Sequence, residues 1–250
     1  MVDKKNWVEG RVVHKRRWTE RLYSLQIDAP VAPFKAGQFG KLALEIDGEV
    51  IARPYSFVNT PQERPLEFYF NTVPNGPLTQ RLIMLEGGDH IYLAPRAAGL
   101  FSLSEVPEAE NLWLLSTGTA IGPFLSILKT DEPWQRFANV ILVHAVRTAE
   151  ELSYQEQIRR IQEQHPDKFK FVPFVSREDT DFAIKAHVPD ALRDGRLEAK
   201  AGVPLRADNA QVMICGNPDM VRDTGIALEE RGLKKNRRNN PGHITVETYW

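Results

Sequence analysis

Leu114-Leu115-Ser116-Thr117-Gly118-Thr119-Ala120-Ile121-Gly122-Pro123 decides the architecture of the second half of this chain. An apolar run leads into a hydroxyl- and glycine-bearing turn, and Pro123 suits the first turn of a helix, where a missing amide costs nothing. The pattern is a strand–turn–helix unit whose backbone can approach a dinucleotide pyrophosphate, although its spacing departs from G-x-G-x-x-G. An ordinary strand-to-helix turn is the alternative reading of these ten residues alone.

Downstream the same rhythm continues. Continuous apolar runs at 112–115, 140–143, 171–175 and 212–214 alternate with polar amphipathic segments. Within 153–164, Tyr154, Ile158 and Ile161 fall at helical spacing. Strands buried on both faces and separated by helices predict a parallel, doubly wound sheet.

Upstream the reading is β. Apolar or β-branched runs at 7–13, 21–27, 40–46, 50–58, 66–73 and 90–94 are punctuated by turns such as Asp47-Gly48, Thr60-Pro61 and Gly87-Gly88-Asp89. Six short strands with one helical stretch at 78–85 predict a small antiparallel β-barrel. The length of 250 residues fits two domains. Their predicted bounds are 1–104 and 105–250, with 104–110 as the linker.

Composition removes several classes. The formal charge of −1 gives no general affinity for nucleic acid or an anionic membrane. One cysteine, Cys215, excludes a disulfide framework or a four-thiolate cluster within the chain. The six histidines lack paired zinc spacing, so no metal is expected. No apolar run is long enough for a signal peptide or a membrane helix, and a cytoplasmic protein is the expectation.

Arg53-Pro54-Tyr55-Ser56 ends the fourth predicted barrel strand. A guanidinium fork suits a pyrophosphate, a tyrosine ring can stack on a flavin, and a serine can hydrogen-bond near its reactive nitrogen. Strand alternation puts Arg53 and Tyr55 on one face and Ser56 on the other unless the strand bends. A surface arginine beside a core tyrosine is the plainer alternative. Asn75-Gly76-Pro77-Leu78-Thr79 then leads into a helix that Thr79 is expected to cap, with free amides offered to an anion. Arg96-Ala97-Ala98-Gly99-Leu100-Phe101 closes the barrel with small residues.

In the second half, His144-Ala145-Val146-Arg147 and Ser176-Arg177 end two successive strands. Arginines there suit a 2′-phosphate, which favours NADP(H) over NAD(H). Cys215-Gly216-Asn217-Pro218 follows another buried strand and brings the thiol to the edge of the same crevice; a buried thiol before a turn is the alternative. Glu247-Thr248-Tyr249-Trp250 ends the sequence on an aromatic pair, either packed in the core or stacked on a ligand.

In this order, the motifs make the chain resemble the bacterial ferredoxin (flavodoxin)–NADP⁺ reductases, in the branch ending Tyr-Trp. The resemblance runs from Trp7 to Trp250. It implies non-covalent FAD, NADP(H) as coenzyme, and single-electron exchange with a ferredoxin or flavodoxin by a monomeric enzyme. It also implies the roles of residues. Arg53, Pro54, Tyr55 and Ser56 would hold FAD, Phe68, Tyr69 and Phe70 would border it, and Pro77, Leu78 and Thr79 would meet its phosphates. Thr119 would sit between the cofactors. Arg147, Ser176, Arg177, Lys185, His187 and Asn217 would bind NADP(H). Tyr249 would cover the flavin face that nicotinamide needs, and Trp250 would stack on the adenine. Ser56, Cys215, Glu247 and Tyr249 would surround the hydride-transfer position. His187 stands where some relatives carry a further arginine, which would make the preference for NADPH weaker or pH-dependent. Lys15, Arg16, Arg17 and Lys234-Lys235-Asn236-Arg237-Arg238 could receive an acidic partner, or could simply be solvated charge. An enzyme with another electron acceptor, or a sensor using the scaffold without turnover, would share much of this pattern.

Overall fold

A computed structural model describes residues 6–249, so Trp250 lies outside the described residues. The first half forms one antiparallel sheet of β1 (Val8–Arg17), β2 (Leu22–Asp28), β3 (Phe39–Ile46), β4 (Glu49–Ser56), β5 (Leu66–Asn71) and β6 (His90–Leu93). Its order is β4-β3-β6-β1-β2-β5. The two edges meet where Phe57 bridges Phe68 and the Val58 amide donates to the Glu67 carbonyl at 2.9 Å, which closes the barrel. Closure removes the exposed edges that would otherwise invite pairing with another chain. The hairpin at Asp47-Gly48 joins β3 to β4, both residues having positive φ as a type I′ turn requires. Barrel alternation is read directly in β5, whose Leu66, Phe68 and Phe70 turn inward to a core with Leu25, Ile27 and Phe57.

The helix expected at 78–85 is α1 (Pro77–Leu82). Thr79 does not cap it. Gly76 is the N-cap and Pro77 opens the helix, while the Thr79 hydroxyl accepts the Val73 amide at 3.0 Å and so tightens the preceding turn.

The second half is a parallel sheet of order β11-β10-β7-β8-β9, built from β7 (Asn111–Thr117), β8 (Asn139–Val146), β9 (Phe169–Val175), β10 (Ala210–Gly216) and β11 (Ile244–Thr248). The chain fills β7, β8 and β9 in one direction, then crosses to place β10 on the other side of β7. That reversal opens a crevice at the carboxyl ends of the strands beside β7, where sheets of this kind hold ligands. Helix α2 (Ile121–Leu128), buried along its whole length, covers one face of the sheet, and the short α3 (Glu132–Arg136) follows it. Helices α5 (Val188–Arg193), α6 (Arg196–Ala201) and α7 (Pro218–Glu230) lie on the other, around Trp113, Leu115 and Ile214. Helix α4 (Gln155–Gln164) buries Ile158 and Ile161, as its spacing predicts, but Tyr154 precedes it in a left-handed conformation (φ 62°). Among the described residues no helix is long and apolar enough to cross a membrane.

Candidate functional site

Two clefts meet between the sheets. The first, of about 440 Å³, is lined on the barrel side by Arg53, Pro54, Tyr55 and Ser56, by Tyr69 and Phe70, and by Pro77, Leu78 and Thr79. Thr119, Glu247 and Tyr249 line it from the parallel sheet. Alternation does not remove Ser56 from this surface: it is the last residue of β4, where the cleft reaches around the strand end. Phe68 is a correction. It is fully buried against Phe57, ring centroids 5.0 Å apart, and borders the barrel core rather than the cleft.

The second cleft, of about 610 Å³, runs along the carboxyl ends of β7, β8, β9 and β10. Thr119, Arg147, Ser176, His187, Asn217 and Tyr249 line it. Arg177 and Lys185 are not in its lining; both are exposed, Arg177 donates its amide to the Arg147 carbonyl at 2.9 Å, and Lys185 is tied to Asp179 at 2.8 Å. Asn71, Thr119 and Tyr249 belong to both clefts, so the two are continuous.

Local chemistry builds this junction. Gly216 has φ 144°, and a β-carbon there would stand 2.1 Å from the Thr117 hydroxyl. That hydroxyl accepts the Asn217 amide at 3.0 Å, which stitches the ends of β7 and β10 together. The Asn217 side chain then caps α7 by accepting the Asp219 and Met220 amides. On the other side of β7, the buried His144 ring lies 3.0 Å through Nε2 from the Gly118 carbonyl. A carbonyl only accepts, so Nε2 carries the proton, and burial pushes the imidazole pKa down to about 4 against the opposing pull of that bond. His144 thus stays neutral and fixes the Gly118 turn. The sequence showed only its place near a strand end.

At the junction the Tyr249 hydroxyl donates to Ser56 Oγ at 2.5 Å, and the Tyr249 amide donates to the Gly216 carbonyl at 2.8 Å. Cys215 is fully buried beneath, its thiol pushed well up by burial and then by the charge of Glu247. Burial alone pushes the Glu247 carboxyl up to about 7, and its Oε2 is buried without a hydrogen-bond partner among the described residues. Tyr55 is pushed up to about 12 by burial, with Arg53 pulling the other way.

These residues fit a flavin dinucleotide. Among the described residues Arg53 has no carboxylate partner, and its guanidinium folds back to the Ala52 carbonyl at 2.7 Å. Tyr55 offers a ring, the tight Gly76 turn a close backbone approach, and the orphaned Glu247 oxygen a polar group awaiting a partner.

The model of the oxidoreductase NAD-binding domain matches residues 114–225. The flavodoxin/ferredoxin–NADP reductases of Shigella flexneri and Escherichia coli are each 47% identical over 246 residues, covering 98% of this chain and 99% of theirs. The ferredoxin–NADP reductase of Pseudomonas aeruginosa is 35% identical, covering 97% of each chain. Among solved structures, a ferredoxin NADP⁺ reductase from Neisseria gonorrhoeae with bound FAD and NADP superposes with a TM-score of 0.94 at 31% identity, over 98% of this chain and 99% of that one. With this full-length similarity on a fold of two sheets and two joined clefts, the chain belongs to the flavodoxin/ferredoxin–NADP reductase family.

Proposed function

We propose that the protein is an FAD-dependent reductase that exchanges hydride with NADP(H) and single electrons with a ferredoxin or flavodoxin. The observation that carries this reading is the meeting of the clefts at Tyr249, with Ser56, Cys215 and Glu247 around one point. FAD, when bound, supplies the conversion between a two-electron hydride donor and a one-electron acceptor. Residues 1–104 form the FAD-binding unit and 105–250 the NADP(H)-binding unit.

The chain's own part is orientation and exclusion of water. Arg53, Tyr55 and Ser56 hold the flavin, and the turn at Gly76 to Thr79 receives its phosphates. Arg147 and Ser176 receive the adenosine end of NADP(H), with His187 beside them. Tyr249 occupies the place where the nicotinamide has to lie, so coenzyme entry requires its ring to leave and its bond to Ser56 to break. The Cys215 thiol stays protonated and neutral, and Glu247 carries a proton up to about pH 7. Below about pH 7 the residues around the transfer position therefore bring little fixed charge.

The acceptor docks on basic surface. Lys15 is partly spent on Glu86 at 2.6 Å and Arg16 lies 3.6 Å over the Trp18 ring, while Arg237 and Arg238 stand exposed. A monomer acting in the cytoplasm completes the reading. The test is a visible spectrum of the purified holoprotein before and after anaerobic NADPH, then on adding ferredoxin or flavodoxin. A flavin spectrum that NADPH bleaches and either carrier restores is the expected result. No bleaching, or reoxidation by neither carrier, overturns the proposal.

A further inference from the structure

Two guanidiniums face the coenzyme cleft, one from each sheet. Arg147 follows β8 in the parallel sheet; Arg21 sits in the turn between β1 and β2, on the barrel. Both are exposed, and neither side chain has a hydrogen-bond or ion-pair partner among the described residues. Carboxylates share the cleft, but none of them is ion-paired with Arg21 or Arg147. Asp219 and Asp223 bind Arg222 at 2.7 and 2.9 Å, and Glu151 accepts the Arg147 amide at 2.9 Å. Both guanidiniums therefore keep their donors free, which suits the oxygens of an anionic ligand in the cleft.

The two arginines stand at different ends of the cleft. Arg147 is beside Ser176, toward the edge strand β9. Arg21 has its amide 3.1 Å from the Thr19 hydroxyl and its carbonyl 2.8 Å from the Thr72 amide, so its turn is held in place. The next residue, Leu22, pairs with Asn71, which lines both clefts. Arg21 thus stands near the junction, between Tyr249 and the adenosine end. A dinucleotide laid with its nicotinamide at Tyr249 and its 2′-phosphate at Arg147 brings its pyrophosphate between these two points.

We propose that Arg21 binds the coenzyme pyrophosphate from the barrel side, while Arg147, at the other end of the cleft, receives the 2′-phosphate. This rests on reading the second cleft as the dinucleotide site. Both NADPH and NADH carry the pyrophosphate, whereas only NADPH carries the 2′-phosphate. Arg21 thereby contributes affinity without coenzyme preference, and Arg147 contributes the preference.

The holoprotein variants Arg21→Ala, Arg21→Lys and Arg147→Ala are titrated with NADP⁺, and KM is measured for NADPH and NADH. Arg21→Ala is expected to raise Kd for NADP⁺ and both KM values by the same factor, about three- to tenfold for an exposed charge-assisted contact. FAD content and kcat should be unchanged, Arg21→Lys should recover most of the loss, and added salt should shrink the effect. Arg147→Ala should raise KM for NADPH alone. If Arg21→Ala changes nothing while Arg147→Ala acts, the Arg21 assignment fails and the site reading stands. If Arg21→Ala weakens NADPH only, the residue serves the 2′-phosphate and the pyrophosphate assignment fails. If neither variant alters coenzyme binding, the reading of the cleft fails with it.

Discussion

Tyr249 is shared by both clefts, and its bond to Ser56 spans 193 positions of sequence. If its ring competes with nicotinamide, Tyr249→Ser removes stacking of about 0.5–1.5 kcal/mol, which predicts roughly two- to tenfold tighter NADP⁺ binding. FAD content should be retained and turnover should not rise, because tighter ground-state binding slows product release. Difference spectroscopy against NADP⁺ checks this; weaker binding in a folded variant means that the ring is packing rather than a gate. Glu247 gives a pH prediction. Its pKa is raised in the fold from 4.5 to about 7 by burial, so the folded state prefers the protonated form. The fold is unpenalised below pH 4.5, loses stability as pH rises through about 7, and carries the full penalty above. Glu247→Gln should therefore match the parent protein near pH 4.5 and exceed it at pH 8, by on the order of 1–2 kcal/mol after solvent screening. Denaturant melts of the two holoproteins at both pH values decide it, and an equal difference at the two sinks the desolvation account.

At the scale of elements, the crevice depends on β7 and β10 ending together. Gly216 is the point of closest approach, and Ala there combines an unfavourable φ with a clash against the Thr117 hydroxyl. Gly216→Ala is expected to destabilise the protein by about 1–3 kcal/mol and to weaken NADP⁺ binding as the strand ends separate. Adding Thr117→Ala removes the clashing atom but not the backbone strain, so the double variant should recover part of the stability. Thermal melts with NADP⁺ titrations test both, and a double variant no better than the single one would rule out the steric cause.

For the whole molecule, each sheet has a core of its own, and a further cluster joins the two. Leu22, Val58 and Tyr69 of the barrel share one cluster with Phe101, Phe124, Leu125 and Cys215. Polar contacts reinforce it: the Tyr69 and Ser153 hydroxyls lie 2.7 Å apart, the Ser126 hydroxyl donates to the Asn59 carbonyl at 2.7 Å, and the Tyr154 hydroxyl donates to the Glu67 carboxylate at 2.6 Å. Trp18 packs over Tyr154 at 4.4 Å between centroids. An apolar contact of this kind opposes domain opening, and on the proposed function the coenzyme then enters by displacing Tyr249. Tyr154→Phe keeps the ring but strands the Glu67 carboxylate, at about 1–2 kcal/mol. The melting temperature should fall by about 2–6 °C, with the KM for NADPH raised as the two walls of its cleft lose a tie. An unchanged melt would show that the hydroxyl is dispensable.

The sequence by itself determined the two sheets, because periodicity is local: alternation and turn residues mark the barrel strands, and continuous apolar runs mark the buried parallel ones. It also marked strand ends as candidates for chemistry, from Arg53 to Ser56 and at Gly118, Arg147 and Cys215. Only the tertiary structure decided which of those side chains reach the clefts. Phe68 and Phe70 share a face of β5, yet Phe68 is sealed beneath Phe57 while Phe70 lies at the open end. Thr79 has the residue type of a helix cap, but Gly76-Pro77 begins the helix earlier and leaves its hydroxyl to the turn. Arg177 and Lys185 carry the right charge but are not in the lining, whereas Arg21, in a barrel turn with no motif around it, lines the cleft. Charge and residue type are properties of a position in the chain, but facing a cleft is set by how the barrel seats on the parallel sheet, and that depends on contacts between residues far apart in sequence.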